Sequence, residues 1–438
     1  MVSFSQRQKT MSKLSLGAKG YLAVFGIAVC AWSCFGEPWP RFRGPNGTGS
    51  SGDKDVPVQW TGKDHVLWQT EIPGAGNSSP IVWGDRVFLQ SASADGKERL
   101  LLCLNATDGK VVWSRAVPGA RAKKHAKNTL ASSTPATDGQ RVYAVFWDGS
   151  DVFVHAYDVQ GNFLWKRNLG SFTSQHGVGA SPLLYRDKVY LMNDQDGAAE
   201  MVALDAKTGE LVWKVARKPF RACYSTPFVL EKGGKEAQLI VTSTAGITSY
   251  RPDTGAENWS YDWTFDGMPL RTVASAIASQ GLIFANSGDG SGARHTIGVK
   301  LEDGTAGLRP NLAWEEKKAF PYVPCMLAYG DHLYYVNDKG VASCHMAATG
   351  AEVWNERLGG DVSASPILID GKIYVVNEAG TVYVFAAAPA FKLLAKNKVG
   401  DNEKVLATPA VADNRLYIRG AKTLYCIGKP SEKQTGGQ

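Results

Sequence analysis

Apolar and polar residues along this chain nowhere settle into a helical period. They come as short apolar or alternating runs broken by Gly, Asp, Asn and Pro, the pattern of β-strands joined by turns. The stretch ending at Trp213 is the clearest. Ala180-Ser-Pro-Leu-Leu184 begins it, Arg186-Asp187 turns the chain, Lys188 to Met192 form a second strand and Glu200 to Leu204 a third. Asp205-Ala-Lys-Thr-Gly209 then reverses the chain, Gly supplying a positive φ and Asp an acceptor for the turn amides, and Glu210-Leu-Val-Trp213 closes the unit. Runs such as Leu100-Leu-Leu102 and Val375-Val376 do not alternate cleanly, as expected of sheets covered on both faces.

The unit repeats. A turn glycine followed four residues later by Trp recurs at Gly109/Trp113, Gly161/Trp165, Gly209/Trp213, Gly255/Trp259 and Gly350/Trp354, with looser copies ending at Trp68, Trp314 and Leu394. The eight anchors lie 45, 52, 48, 46, 55, 40 and 40 residues apart, a period of stacked units rather than separate domains. Four short strands per unit predict one all-β, eight-bladed β-propeller of four-stranded antiparallel blades. The Trp residues are expected to wedge between blades, each ring N–H on a backbone acceptor.

Ser79-Pro80, Thr134-Pro135, Ser181-Pro182, Thr226-Pro227, Ser365-Pro366 and Thr408-Pro409 mark the starts of innermost strands, with Ser275-Ala276 and Pro324-Cys325 as degenerate copies. After Pro409 only two more strands follow, whereas Val66-Leu-Trp68 precedes the first start. The N-terminal strand is therefore expected to complete the last blade and close the ring, removing the exposed sheet edges. Cys103, Cys344 and Cys426 occupy the third-strand position held elsewhere by Ala156 and Ala203, so they read as small buried hydrophobes in separate blades.

Composition adds limits. The chain has 438 residues and a formal charge of +7. Arg7, Lys9, Lys13 and Lys19 account for most of the excess, leaving 44 basic against 41 acidic residues beyond residue 36, which argues against a nucleic-acid binder. Those four cations, the apolar Tyr21 to Trp32 and the small Ser33 and Gly36 have the layout of a cleaved secretory signal, too short in its apolar part to span a bilayer. The expected division is signal peptide 1–36, N-terminal extension 37–59, propeller 60–428 and polar tail 429–438, delivered to the periplasm or beyond as a monomer. Lipidation at Cys34 is the lesser alternative, since Trp32 sits where a small residue is wanted. Five scattered cysteines remain after cleavage and form no disulfide framework. No G-x-S-x-G, H-E-x-x-H or P-loop occurs, the seven histidines lack metal-ligand spacing, and Gly288 to Gly292 reads as a hairpin loop.

The pattern Ala203-Leu-Asp205-Ala-Lys-Thr-Gly209-Glu-Leu-Val-Trp213 resembles the tryptophan-docking repeat of the pyrroloquinoline-quinone (PQQ) dehydrogenases, which are eight-bladed propellers. It is equally similar to the propeller of the outer-membrane β-barrel assembly lipoproteins, which share the repeat and bind no quinone. Trp39-Pro-Arg-Phe-Arg-Gly-Pro-Asn-Gly47 resembles the opening of bacterial exported PQQ-like propeller proteins. The resemblance covers roughly residues 39 to 428 and is specific for fold rather than activity.

Two functions follow. A dehydrogenase, by resemblance, implies PQQ, a Ca²⁺ on carboxylate and amide oxygens, a catalytic Asp and an adjacent-cysteine disulfide. The chain has no adjacent cysteines, and the acids near the blade starts are few: Asp266, Asp361, Asp401 and Glu403. The preferred reading is a non-catalytic binding or scaffold protein of the cell envelope with no cofactor, whose partner is an envelope protein or a small anionic or carbohydrate ligand. Its site is expected in the segments before the innermost strands, at one mouth of the channel: His176, Arg221, Tyr224, Arg271, Asp361 and Lys404, with His125 and Asn128 slightly upstream of a start. The Trp anchors are assigned structural roles and no catalytic residue is assigned.

Overall fold

The computed structural model describes residues 36–430 except 63, 232–235, 269, 305–306 and 319. The proposed signal peptide, Cys34 and most of the polar tail lie outside the described residues. Eight antiparallel sheets follow one another, seven of four strands and one of five, and no described helix is long and apolar enough to cross a membrane. Blade 1 comprises Ile81–Trp83, Arg86–Ala92, Glu98–Asn105 and Val111–Pro118, from the innermost strand outward. Blade 8 takes three strands from Ala410–Ala412, Arg415–Arg419 and Thr423–Ile427 and its outermost from Val66–Glu71. Trp68 faces Cys426 and Thr70 faces Leu424 across that antiparallel seam, so the first Trp strand closes the ring.

The Gly-to-Trp spacing works between blades. The turn glycines Gly109, Gly161, Gly209, Gly255 and Gly350 have φ of 72° to 87°. A Cβ on any of them would strike the Trp of the preceding blade; on Gly209 it would lie 2.4 Å from the Trp165 ring. Each glycine thus seats its neighbour's indole. The N–H of Trp68, Trp113, Trp165, Trp213, Trp314 and Trp354 donates to a carbonyl of the next blade, at 2.8 to 3.2 Å. Trp259 is the exception and donates to Gln238 Oε1 of its own blade at 2.8 Å. The blade that follows it runs its last two strands, Arg294–Gly304 and Gly307–Glu316, as one long hairpin, without the short turn after the third strand whose carbonyl the other indoles use.

Every blade carries a register shift just before its anchor position, between Val111 and Trp113 in blade 1, Leu211 and Trp213 in blade 3, and Leu393 and Ala395 in blade 7, where Ala395 rather than the expected Leu394 stands in for Trp. The same shift precedes Trp165, Trp259, Trp314, Trp354 and Trp68. A β-bulge turns two successive side chains outward. Val111 and Val112 are both exposed while Trp113 is buried, which accounts for apolar pairs that strict alternation would not allow.

The innermost strands are tied by their starts. Ser79 N donates to Thr134 Oγ1, Thr134 N to Ser181 Oγ, Thr226 N to Ser275 Oγ, Ser275 N to Cys325 Sγ, Cys325 N to Ser365 Oγ and Ser365 N to Thr408 Oγ1, at 2.8 to 3.2 Å. All six links run in the same rotational sense around the channel. The thiol of Cys325 takes the place of a hydroxyl.

Residues 37–59, read from sequence as an extension, pack beneath this ring. Trp39 pairs with Val82 of blade 1, and Ser50–Ser51 add a parallel fifth strand to blade 7. Between them Arg41 Nη1 donates to Pro227 O at 2.9 Å. Arg43 reaches the carbonyls of Gly47, Thr48, Met326 and Pro366 at 2.6 to 3.5 Å. Trp39, Val56 and Trp60 join the buried core of blades 7, 8 and 1. The segment plugs the channel directly beneath the Ser/Thr starts, with Phe42 beside Thr226 and Ser275.

Candidate functional site

The plug turns the channel into a blind cup of roughly 490 Å³, with Phe42 at its closed end and the Ser/Thr starts around its wall. That volume suits a small ligand. His176, Tyr224, Arg271 and Asp361 line it, as do His125 and Asn128. Arg221 and Lys404 are not among the lining residues; Lys404 is exposed, and Arg221 stands close enough to His176 to disfavour its protonation.

One side of the cup is cationic and aromatic. The imidazoles of His125 and His176 stack at 4.7 Å, held by the His125 amide on His176 O at 3.2 Å and by Asn128 Nδ2 on the same carbonyl at 2.7 Å. Burial first, then Arg271, His125 and Arg221, pull His176 down to about 4, so it is neutral at pH 7. Tyr224 shares a hydrogen bond of 2.7 Å with Ser174 Oγ, and burial raises its hydroxyl to about 12. Arg271, only 2% exposed, lies 6.0 Å over the Tyr224 ring and donates to Ala222 O at 2.7 Å.

On the other side each lining carboxylate has a protein partner. Asp338 pairs with Arg294 at 3.2 Å and accepts the amides of Tyr322 and Val323. Asp361 meets Lys339 at 3.1 Å, and Asp289 accepts Ser291 and the Ala293 amide in its own turn. Lys127, on the long connection between blades 1 and 2, reaches Glu378 of blade 7 at 2.7 Å. Glu378 also accepts Ser363 Oγ.

Arg294, Asp338 and Lys339 fall outside the segments before innermost strands, and Asp289 lies in the Gly288 to Gly292 hairpin loop. In a four-stranded meander the turn between the second and third strands faces the same mouth. Asp289 and Asn337-Asp338-Lys339-Gly340 are such turns, and Arg294 opens the strand after the first of them, so the position of these turns in the repeat is the signal that marks them.

Among the described residues no group of three or more His, Cys, Asp or Glu is placed to hold a metal ion. Cys103, Cys223, Cys325, Cys344 and Cys426 are free and buried. Burial pushes the Cys103 and Cys426 thiols up to about 12 and those of Cys223 and Cys344 to about 11. They are inert hydrophobes at neutral pH.

Eight blades, seven of them anchored by a Trp, around a cup define an eight-bladed propeller of the PQQ-like repeat class. A family model described as outer membrane protein assembly factor BamB matches residues 52–196, 150–313 and 314–393, and the chain belongs to that family. It is similar to polyvinylalcohol dehydrogenase of Pseudomonas sp, 30% identical over 39% of this chain and 27% of the relative. It is also similar to outer membrane protein assembly factor BamB of Shewanella oneidensis, 22% identical over 50% of this chain and 53% of the relative. The chain thus spans about half or less of these curated relatives. Among solved structures, BamB from Moraxella catarrhalis superposes with a TM-score of 0.58 at 16% identity, covering 85% of this chain and 99% of that one. A europium-containing methanol dehydrogenase gives 0.56 at 12%, covering 90% and 98%. Likeness at these identities shows the fold alone.

Proposed function

We propose that this chain is an exported, non-catalytic binding or scaffold propeller of the cell envelope, whose cup takes a small anionic or hydroxyl-rich ligand. The observation that supports it most is the one-sidedness of the cup: its carboxylates are occupied by Arg294, Lys339 and Ser291, while Arg271, Tyr224 and the two histidines face the cavity beside no equal number of acids. An arginine fork suits carboxylate, sulfate or phosphate oxygens, and His and Tyr serve a ligand's hydroxyls.

The competing reading is a PQQ-dependent alcohol or sugar dehydrogenase, favoured by the curated relatives named polyvinylalcohol dehydrogenase. The residues present do not fit that cofactor's metal. Ca²⁺ takes six to eight oxygens with several carboxylates, and the cup's acids already neutralise Arg294 and Lys339.

The deciding experiment titrates purified protein with PQQ and Ca²⁺ by absorbance, follows dye-linked alcohol oxidation, and screens an anion and glycan array in parallel. Ligand capture that weakens in Arg271→Gln, with no quinone turnover, supports the binding reading. Stoichiometric, Ca²⁺-dependent PQQ binding with turnover replaces it with the dehydrogenase.

A further inference from the structure

On the face opposite the cup, a second cavity of roughly 510 Å³ lies beside the plug, against the innermost strands of blades 3, 4 and 5. Its walls are mostly hydrocarbon, with Leu184, Leu230 and Ala278 half-exposed along it and Phe228 behind them. Among the described residues Arg41 is the only cationic side chain in that lining.

The two plug arginines differ in how their donors are used. Arg43 is fully buried and spreads its N–H groups over four carbonyls. Arg41 is 4% exposed, places Nη1 on Pro227 O, and leaves Nε buried without a hydrogen-bond partner. The acid lining the cavity, Glu231, already accepts the Tyr185 hydroxyl at 2.7 Å. Burial, and then the neighbouring Arg43, lower Arg41 to about 9, so it remains a cation at neutral pH. A buried cation without a counter-charge is costly, and an anion at its side removes the cost.

We propose that this groove binds a small monocarboxylate with an apolar body, its carboxylate on Arg41 and its hydrocarbon along Leu184, Leu230 and Ala278. The one guanidinium among the described lining residues suits a singly charged ligand, and the polar side chains beside it, Asn46, Thr48 and Tyr185, already bond within the protein. The volume lies within the range of small-molecule sites.

The test titrates octanoate and the uncharged 1-octanol into the full chain by calorimetry. Octanoate is expected to saturate one site, with octanol at least tenfold weaker. Ala278→Trp fills the groove without touching Arg41 and is expected to weaken octanoate at least tenfold in a protein that melts normally. Arg41→Gln should abolish the preference for octanoate over octanol; if that variant fails to fold, Ala278→Trp decides. Equal affinity for the two probes, undiminished octanoate binding by Ala278→Trp, or no octanoate binding overturns the proposal. So does binding confined to a peptide held by its C-terminal carboxylate, which makes the groove a docking place for a partner chain.

Discussion

At the open end of the channel Asp361 meets Lys339, charge against charge, with both side chains well exposed to solvent. At the plugged end Arg43 is fully buried, its N–H groups shared among backbone carbonyls beside the Cys325 thiol. The difference is one of replaceability. A solvated ion pair contributes little to stability because water substitutes for either partner. A buried guanidinium shared among backbone carbonyls leaves each of them unsatisfied when it goes.

Arg43→Met is the strongest way to break this contrast. It should cost at least about 3 kcal/mol, since several buried acceptors are orphaned together, and chemical denaturation reads the loss. A wild-type midpoint would show the plug to be an ornament on a self-sufficient ring. Thr134→Val comes next, keeping the shape of the Ser79-to-Thr134 link while removing its acceptor. One stranded buried amide costs about 1 to 3 kcal/mol, and the same measurement distinguishes a contributing ring from an incidental one.

A pH series separates the ends in another way. His176 in the cup and His155 in blade 2 are both held near 4, chiefly by burial. The unfolded chain takes up protons on these groups from about pH 6.5, whereas the folded chain resists until about 4. Their contribution is therefore constant above pH 6.5, and stability falls as pH drops from 6.5 through 4. His155→Phe should flatten that slope in melting curves; an unchanged slope assigns the loss elsewhere. The smallest effect belongs to Lys127→Ala, which removes the ion pair to Glu378 at the mouth. Less than about 1 kcal/mol is expected, and a larger loss would mean that the long connection helps hold the ring.

Blade number, order and closure were legible because, at five of the contacts between blades, the glycine that turns the chain also seats the preceding indole, and looser copies complete the period. The bulge before each Trp was not legible. Val111-Val112 looks like a lapse in alternation until the register shift shows both side chains turned outward. In the cup, His176, Tyr224, Arg271 and Asp361 were legible by counting back from strand starts, while Asp338 and Arg294 belong to the other turns that face that mouth. The plug left least trace. Arg43 binds main-chain carbonyls of Met326 and Pro366, and carbonyls carry no sequence signature. Trp259 shows the converse: its motif is intact, yet the neighbouring turn that would accept its N–H is absent.

The seam between Val66–Glu71 and Thr423–Ile427 also imposes a schedule. The strand and the plug before it are synthesised early, yet their partners Leu368, Asn397, Asn414 and Cys426 come more than 300 residues later. At ribosomal speed that is a wait of roughly 20 to 70 seconds. Through that interval Val66, Leu67 and Trp68 have no edge to pair with, and the ring cannot lock blade by blade. The last loop to close is also the longest, which makes ring closure the slow step of folding. A chain cut short before Thr423 would keep this apolar strand permanently unpaired, a template for aggregation rather than a slightly smaller propeller.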